Sequence, residues 1–475
     1  MEINGQLIDL EKIGISFTPN DEQIAALEHL IEFLHSNCLT TVLSGSAGTG
    51  KTSIVRIFLE YIKKTSRRHV TLAAPTHKAK MVLSRLSNNN EAVTLHTLLK
   101  LRPDVNLLEF DVNDLQFMTQ FAADLFEDVD DLIIVDEGSM INDTLYDLLV
   151  DRMNGMGKVI FIGDTAQIQP VKQGYLSKVF TATDYPGIHL TKVERQKGDN
   201  PLMDTLVKLR DKPLRNFYSA HENGIGLEVF IDTKDFITEL KGVIPPVREL
   251  VKQPFKNKIL AYTNSRVRDF NKLVRRILKV DKTLLTVGEI IMGYDSYNRN
   301  NLPILYNGSE YVVVRIEKTK KELPYFTTVP GYLIKLLDTV EAKNKASLNV
   351  IKEVFLIDPH APHNIFDRLS STLENMRLSA VQAKSPYSRK TYWASWYKLQ
   401  ESFITMHAMV YQGRTIRKKT IDYGYAITTH KSQGSTYENV FIDMKNIQIC
   451  TDKDELRQLQ YVALSRASKK VNLLN

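Results

Sequence analysis

A chain of 475 residues is too long for one ordinary hydrophobic core and points to roughly two to four domains. With 43% hydrophobic and 25% charged residues it is globular in composition, and a net charge of +7 permits a polyanionic partner without demanding one. Two cysteines, Cys38 and Cys450, exclude a disulfide framework and a zinc set, and no apolar run approaches the ~18 residues of a membrane span. The acidic start MEINGQLIDLEK has no apolar signal region, so a cytoplasmic location is expected.

Phe17 to Gln23 leads into a helical pattern at Ile24, Leu27, Ile31 and Leu34. Pro19 and Asp21 are ordinary helix-entry residues, and Glu22 sits in the first turn, where acids are favoured. Gln23 has two readings: an exposed helix residue, or an amide whose donor and acceptor read an adenine edge just ahead of the next motif. Thr41-Val42-Leu43 predicts a strand that opens into Gly45, Ser46, Ala47, Gly48, Thr49 and Gly50, after which Lys51-Thr52 begin a helix. This is G-x-x-x-x-G-K-[ST] in its strand–loop–helix setting. Glycines let backbone N–H groups curl around a phosphate, and the helix N-terminus adds partial positive charge. Lys51 then reaches the β- and γ-phosphates of a nucleotide such as ATP, and the Thr52 hydroxyl serves a magnesium ion.

His69 to Ala74 predicts a second buried strand, ending at Pro75-Thr76-His77-Lys78-Ala79-Lys80. Val93 to Leu98, with Thr94 and His96, follows. Polar residues at strand ends are where an α/β sheet binds ligands, but His77 and His96 taken alone also fit structural, hydrogen-bonded histidines. Asp131 to Val135 predicts a strand that delivers Asp136 to the sheet edge, where it can hold magnesium opposite Thr52. Glu137 is then placed to orient and deprotonate an attacking water. Val159 to Ile162 predicts another strand, leading to Gln167, which can sense a γ-phosphate. Alternating strands and helices of this kind specify an α/β fold with a parallel sheet.

Taken in order, GSAGTGKT, APTHKAK, TLHTLL, VDEGSM, GDTAQIQP, LTKVERQ, AITTHKSQGST and YVALSRA resemble the motif set of superfamily 1B helicases, most closely the Dda-type enzymes related to RecD. The resemblance runs from Gln23 to Ala467. It implies two RecA-like domains with ATP between them, single-stranded DNA across both, and 5′-to-3′ movement. It also implies that Gln23 reads adenine, that Gln167 couples ATP to the strand, and that Arg195 and Arg466 reach the γ-phosphate from the second domain. On this reading residues 1–191 form the first RecA-like domain, with a wedge or pin insertion at about 99–130. The second comprises 192–285 and 420–475, interrupted at 286–419 by a small SH3-like barrel with a helical tower.

Lys258 to Tyr262 predicts a strand ending in Thr263-Asn264, and its partner piece returns at Tyr425 to Gly434. Thr429, His430, Lys431 and Ser432 offer donors and charge to phosphate oxygens, and Gly434 allows a tight approach to strand or nucleotide. Residues expected on the strand are thus Pro75, Thr76, His77, Lys80, Thr94, His96, Thr263, Asn264, Thr429, His430, Lys431 and Ser432. Inside the insertion, Glu310 to Ile316, Tyr332 to Leu337 and Val350 to Ile357 predict strands, and helical patterns flank Ser385-Pro386. Trp393 and Trp396 are expected to pack that hairpin, and the run RTIRKK at 414–419 to form a solvated face. Partners expected from the resemblance are single-stranded and forked duplex DNA, with replication or single-strand-binding proteins. The chain is expected to be a monomer, in the host cytoplasm if phage-encoded. A translocase that strips proteins without unwinding, and an RNA-remodelling ATPase, are the rival readings.

Overall fold

The computed structural model describes residues 1–475 apart from 16, 47, 87–91, 100–131, 154, 171–175, 193–199, 251–255, 301 and 340–350. The expected wedge segment therefore lies almost wholly outside the described residues. Two parallel six-stranded sheets carry the fold. In the first, the order across the sheet is Val93–Thr94, Val70–Ala74, Leu132–Val135, Lys158–Gly163, Thr40–Gly45 and Ile188–Leu190, every pair parallel. Its central strands read as unbroken apolar runs because helices cover both faces, and Leu132 to Val135 are fully buried. Each such side chain contributes about 1.5–3 kcal/mol by leaving water.

The second sheet runs Ala426–Thr428, Asn257–Ala261, Tyr437–Asp443, Ala467–Leu474, Ile225–Phe230 and Ala220–Glu222, parallel except for the last, antiparallel pair. Between Asn257–Ala261 and Ala426–Thr428 the chain leaves this sheet for a five-stranded antiparallel one: Ile351–Ile357, Thr328–Asp338, Glu310–Glu322, Ile290–Gly293 and Ile421–Tyr423. Its two edge strands are stitched together through residues 404 and 405. Ile357 N donates to Ile404 O, Ile404 N to Phe355 O, and Ile421 N to Thr405 O. That gives the barrel-like closure expected of the insertion, with its last strand lying beyond Lys419. The helical hairpin, His363–Gln382 and Pro386–Gln400, turns at Ser385, whose hydroxyl caps the second helix by accepting from Ser388 N. Trp396 is buried and meets Trp393 edge-on at 5.9 Å, so the tryptophans pack the hairpin.

The basic run at 414–419 is a solvated face only in part, at the exposed Arg414, Thr415 and Lys418. Ile416 and Arg417 are buried, and the Arg417 guanidinium donates to the carbonyls of Gln400 and Phe403. A charge count misses this because Arg can spend its donors on carbonyls at the foot of a hairpin.

The two cores meet along the GDTAQIQP segment. Ala166 and Ile168 leave the first sheet and bury themselves in the apolar cluster of the second core, against residues such as Leu202, Leu209 and Leu459. Around them Gln433 Nε2 donates to Ile168 O (3.0 Å), Gln169 N to Gln458 Oε1 (3.3 Å), and the Tyr461 hydroxyl to Asp164 Oδ2 (2.8 Å). No helix among the described residues is long and apolar enough to cross a membrane.

Candidate functional site

The phosphate loop leaves strand Thr40–Gly45 and enters helix Lys51–Thr65 through Gly50, which sits in the left-handed region at φ 87°. A side chain there would also collide with Gln23, whose Nε2 would lie 2.4 Å from the added carbon. Only glycine satisfies both demands. Thr49 braces the loop, its hydroxyl donating to Ser46 O at 2.9 Å. Lys51 Nζ bends back over the loop and donates to Gly45 O (2.6 Å) and Ser46 O (2.9 Å). Its charge is thereby centred over the turn where phosphates would sit. Ala47 lies outside the described residues.

Gln23 is placed against this loop, but its amide is engaged. Oε1 accepts from Asn20 N (3.1 Å), Asn20 Oδ1 accepts from Gln23 N (3.0 Å), and Nε2 donates to Thr49 O (3.0 Å). The motif is a capping box, legible as Asn20-x-x-Gln23 and overlooked in the sequence. The structure thus shows Gln23, 2% exposed, as a brace between helix start and phosphate loop rather than as an exposed residue.

Asp136 and Glu137 follow strand Leu132–Val135. Asp136 Oδ1 accepts from Glu137 N (2.8 Å), and burial raises its carboxyl above the usual range, with Lys51 pulling it back. Thr52 and Asp136 line one small cavity beside the loop. A hydroxyl oxygen and a half-buried carboxylate are a donor set suited to magnesium, so those residues fit the ion. Glu137 adopts φ 56°, ψ 45°, a left-handed conformation that costs a non-glycine residue energy and so marks a site where geometry serves function. Burial, then the neighbouring Asp136 charge, pushes its carboxyl up to about 7, against Arg466 and Lys51.

The second core faces this acid. Gly434, at φ 68°, comes so close that a Cβ on it would stand 3.4 Å from Glu137 Oε1. Arg466, 5% exposed at the end of helix Lys453–Ser465, is aimed by its own donors. They go to Val462 O (3.1 Å), Ser435 O (3.3 Å) and Ser465 Oγ (3.0 Å). Burial lowers its basicity and the Glu137 carboxylate acts against that. Gln167, 7% exposed, keeps a buried Oε1 without a hydrogen-bond partner, an acceptor left over on the seam between the cores. Arg195 lies outside the described residues.

The residues expected on a nucleic-acid strand divide. Pro75, Thr76, His77 and Lys80 cluster where strand Val70–Ala74 runs into its helix, with His96 nearby. Burial, with Lys80 and His96, lowers His77 to about 4, so at neutral pH it presents an uncharged ring. Thr94 instead caps a short helix, accepting from Thr97 N at 3.2 Å. In the second core Asn264 is exposed, while Thr263 accepts from Arg266 N as a helix cap. Thr429 and Ser432 correct the expectation outright. Both are fully buried, and their hydroxyls donate to Ala261 O and Thr429 O, which leaves nothing for phosphates. His430 is half-buried beside Glu455, at 3.6 Å. Lys431 Nζ donates to Asn307 Oδ1 (2.8 Å) and lies over the Tyr294 ring (4.1 Å).

Three contributors were absent from the sequence reading. Tyr461 and Asp164 sit in quoted motifs without an assigned role, and Tyr306 of the insertion meets the His77 ring at 4.3 Å. Nothing local signals these pairs, because each joins segments more than 200 residues apart.

Known proteins resemble this chain over most of its length. Residues 18–224 match the family model described as an AAA domain, and residues 423–474 the UvrD-like helicase C-terminal domain. The chain is 29% identical over 443 residues to the ATP-dependent DNA helicase dda of Enterobacteria phage T4, covering 89% of this chain and 92% of that one. It is 21% identical over 464 residues to the RecBCD enzyme subunit RecD of Buchnera aphidicola subsp. Schizaphis graminum, covering 91% and 70%. Among solved structures, the Pif1 helicase from Candida albicans shares the fold, with a TM-score of 0.51 at 18% identity and coverage of 97% and 94%.

Proposed function

We propose, for a chain that is a Dda-type homologue of the superfamily 1B helicases, that hydrolysis of ATP between the two cores drives it 5′-to-3′ along single-stranded DNA and parts duplex ahead of it. ATP-dependent DNA helicase activity comes with the family. Direction, unwinding and the individual residue roles are the proposal.

One observation supports it above the others: Glu137 of the first core lies under Gly434 and faces Arg466 of the second. The acid comes from one core and this arginine from the other. In the cycle, Lys51 and the loop N–H groups hold the β- and γ-phosphates, with Gln23 bracing the loop. Thr52 and Asp136 would hold magnesium, which supplies charge neutralisation to the phosphates when bound. Glu137, next to Asp136 and facing Arg466, takes the proton of the attacking water. Arg466, joined by Arg195 on the family pattern, meets the charge that develops on the γ-phosphate. Gln167 is placed on the seam to relay the state of that site. Pro75, Thr76, His77, Lys80 and His96 on one core, and Asn264, His430 and Lys431 on the other, would alternate their grip on the strand.

Strand displacement on duplexes with a 5′ or a 3′ single-stranded tail, with and without ATP, tests the reading. Displacement of the 5′-tailed substrate alone, with ATPase strongly stimulated by single-stranded DNA, is expected. Equal turnover with and without DNA would sink it.

A further inference from the structure

Tyr461 and Asp164 are 297 positions apart and share a buried hydrogen bond between the two cores. Asp164 is fully buried at the end of strand Lys158–Gly163, with Oδ1 taken by Ala166 N at 3.0 Å. Oδ2 accepts the Tyr461 hydroxyl at 2.8 Å, and Tyr461 is 2% exposed. A carboxylate removed from water needs its donors, so this hydroxyl is a condition of the seam rather than an ornament of it. The Ser46 hydroxyl of the phosphate loop is also buried and stands beside the Tyr461 hydroxyl. Arg466 ends the helix on which Tyr461 stands, and its guanidinium is tied to that helix through Val462 O. Helix, tyrosine and arginine therefore move as one body.

We propose that Tyr461 is a positioning residue for hydrolysis: its hydroxyl, held by Asp164 and set beside Ser46, fixes how near Arg466 stands to the phosphate loop. The proposal rests on reading this cleft as the hydrolysis site. Arginine stabilises the reacting phosphate only from the correct distance, so a helix released from Asp164 should lose rate without losing nucleotide binding.

The test is steady-state ATPase of the full chain with saturating single-stranded DNA. Tyr461→Phe should lower kcat on the order of tenfold while KM for ATP stays within about twofold. Asp164→Asn should keep at least about half of kcat, since its amide can donate back to the tyrosine oxygen and preserve the contact. Tyr461→Phe combined with Asp164→Leu should be no slower than the worse of those two substitutions made singly, the signature of one shared interaction. Circular dichroism and DNA binding confirm that each variant is folded. Wild-type kcat in Tyr461→Phe, or a loss in Asp164→Asn as deep as in Tyr461→Phe, overturns the positioning role. Turnover surviving in Lys51→Ala would instead overturn the reading of the cleft, which separates the two failures.

Discussion

In the first core the ionisable groups at the strand ends are held in costly states. Asp136 and Glu137 are both raised by burial, and Glu137 carries a left-handed backbone as well. In the second core the buried charges are matched where they stand. Lys258, fully buried, pairs with Glu310 at 3.1 Å and Arg275 with Glu289 at 2.7 Å, and nearer the surface the half-buried Lys470 lies between Glu228 and Glu239. The same sheet architecture thus serves two economies. One side stores unfavourable charge for a ligand to relieve, and the other uses charge to hold its own parts, the insertion included, in register. Among the described residues, Arg466, Tyr461 and Gly434 reach from the second side toward the acids of the first.

That contrast can be broken most forcefully at Arg466. If the second core completes the chemistry, Arg466→Ala should cut DNA-stimulated ATP turnover by about 10³–10⁵, the usual worth of an arginine at a phosphoryl transition state. A loss of only a few fold in a steady-state assay would mean that the first core hydrolyses alone. Glu137→Gln should follow, with turnover down by about 10²–10⁴ and ATP retained on the protein in a filter-binding assay. Full turnover in that variant would remove the glutamate from the role of base.

A third variant probes the matched side. Burial outweighs the pull of Arg275 and keeps the Glu289 carboxyl above its usual range, so the pair is costly but satisfied. Removing one partner strands the other. Glu289→Ala should therefore cost about 3–5 kcal/mol in urea denaturation, with turnover per folded molecule unchanged. The smallest effect belongs to Glu22, whose carboxylate accepts from Lys192 N (2.9 Å) and from Thr191 N (2.9 Å). Those bonds, the Lys192 amide first, lower its pKa from 4.5. The stability it supplies is complete above 4.5 and vanishes as pH falls through the lower folded value. Glu22→Gln should remove at most about 1 kcal/mol at neutral pH and flatten the acid limb of a thermal-shift profile.

Much of this molecule is legible along the chain because strands buried on both faces announce themselves as apolar runs, and glycine loops by their spacing. The loop at 45–52, the Asp136–Glu137 pair and the split second core belong to that class. Side-chain direction does not. Thr429 and Ser432 look like phosphate donors until the carbonyls of residues 261 and 429 claim them. Arg417 looks solvated until a hairpin closes over it, and Gln23 looks free until Asn20 answers it. Contacts such as Tyr461–Asp164 and His77–Tyr306 are written in no local period, since only the finished tertiary fold brings their halves together.

The burial of Ala166 and Ile168 in the opposite core has a mechanical meaning. Pulling the cores straight apart would wet that apolar plug, whereas turning one about the other would leave it dry. The segment is therefore a fulcrum. Displacement is least at the fulcrum and grows with distance along each arm, so a slight turn at Tyr461 becomes a longer shift at the far ends of the cores.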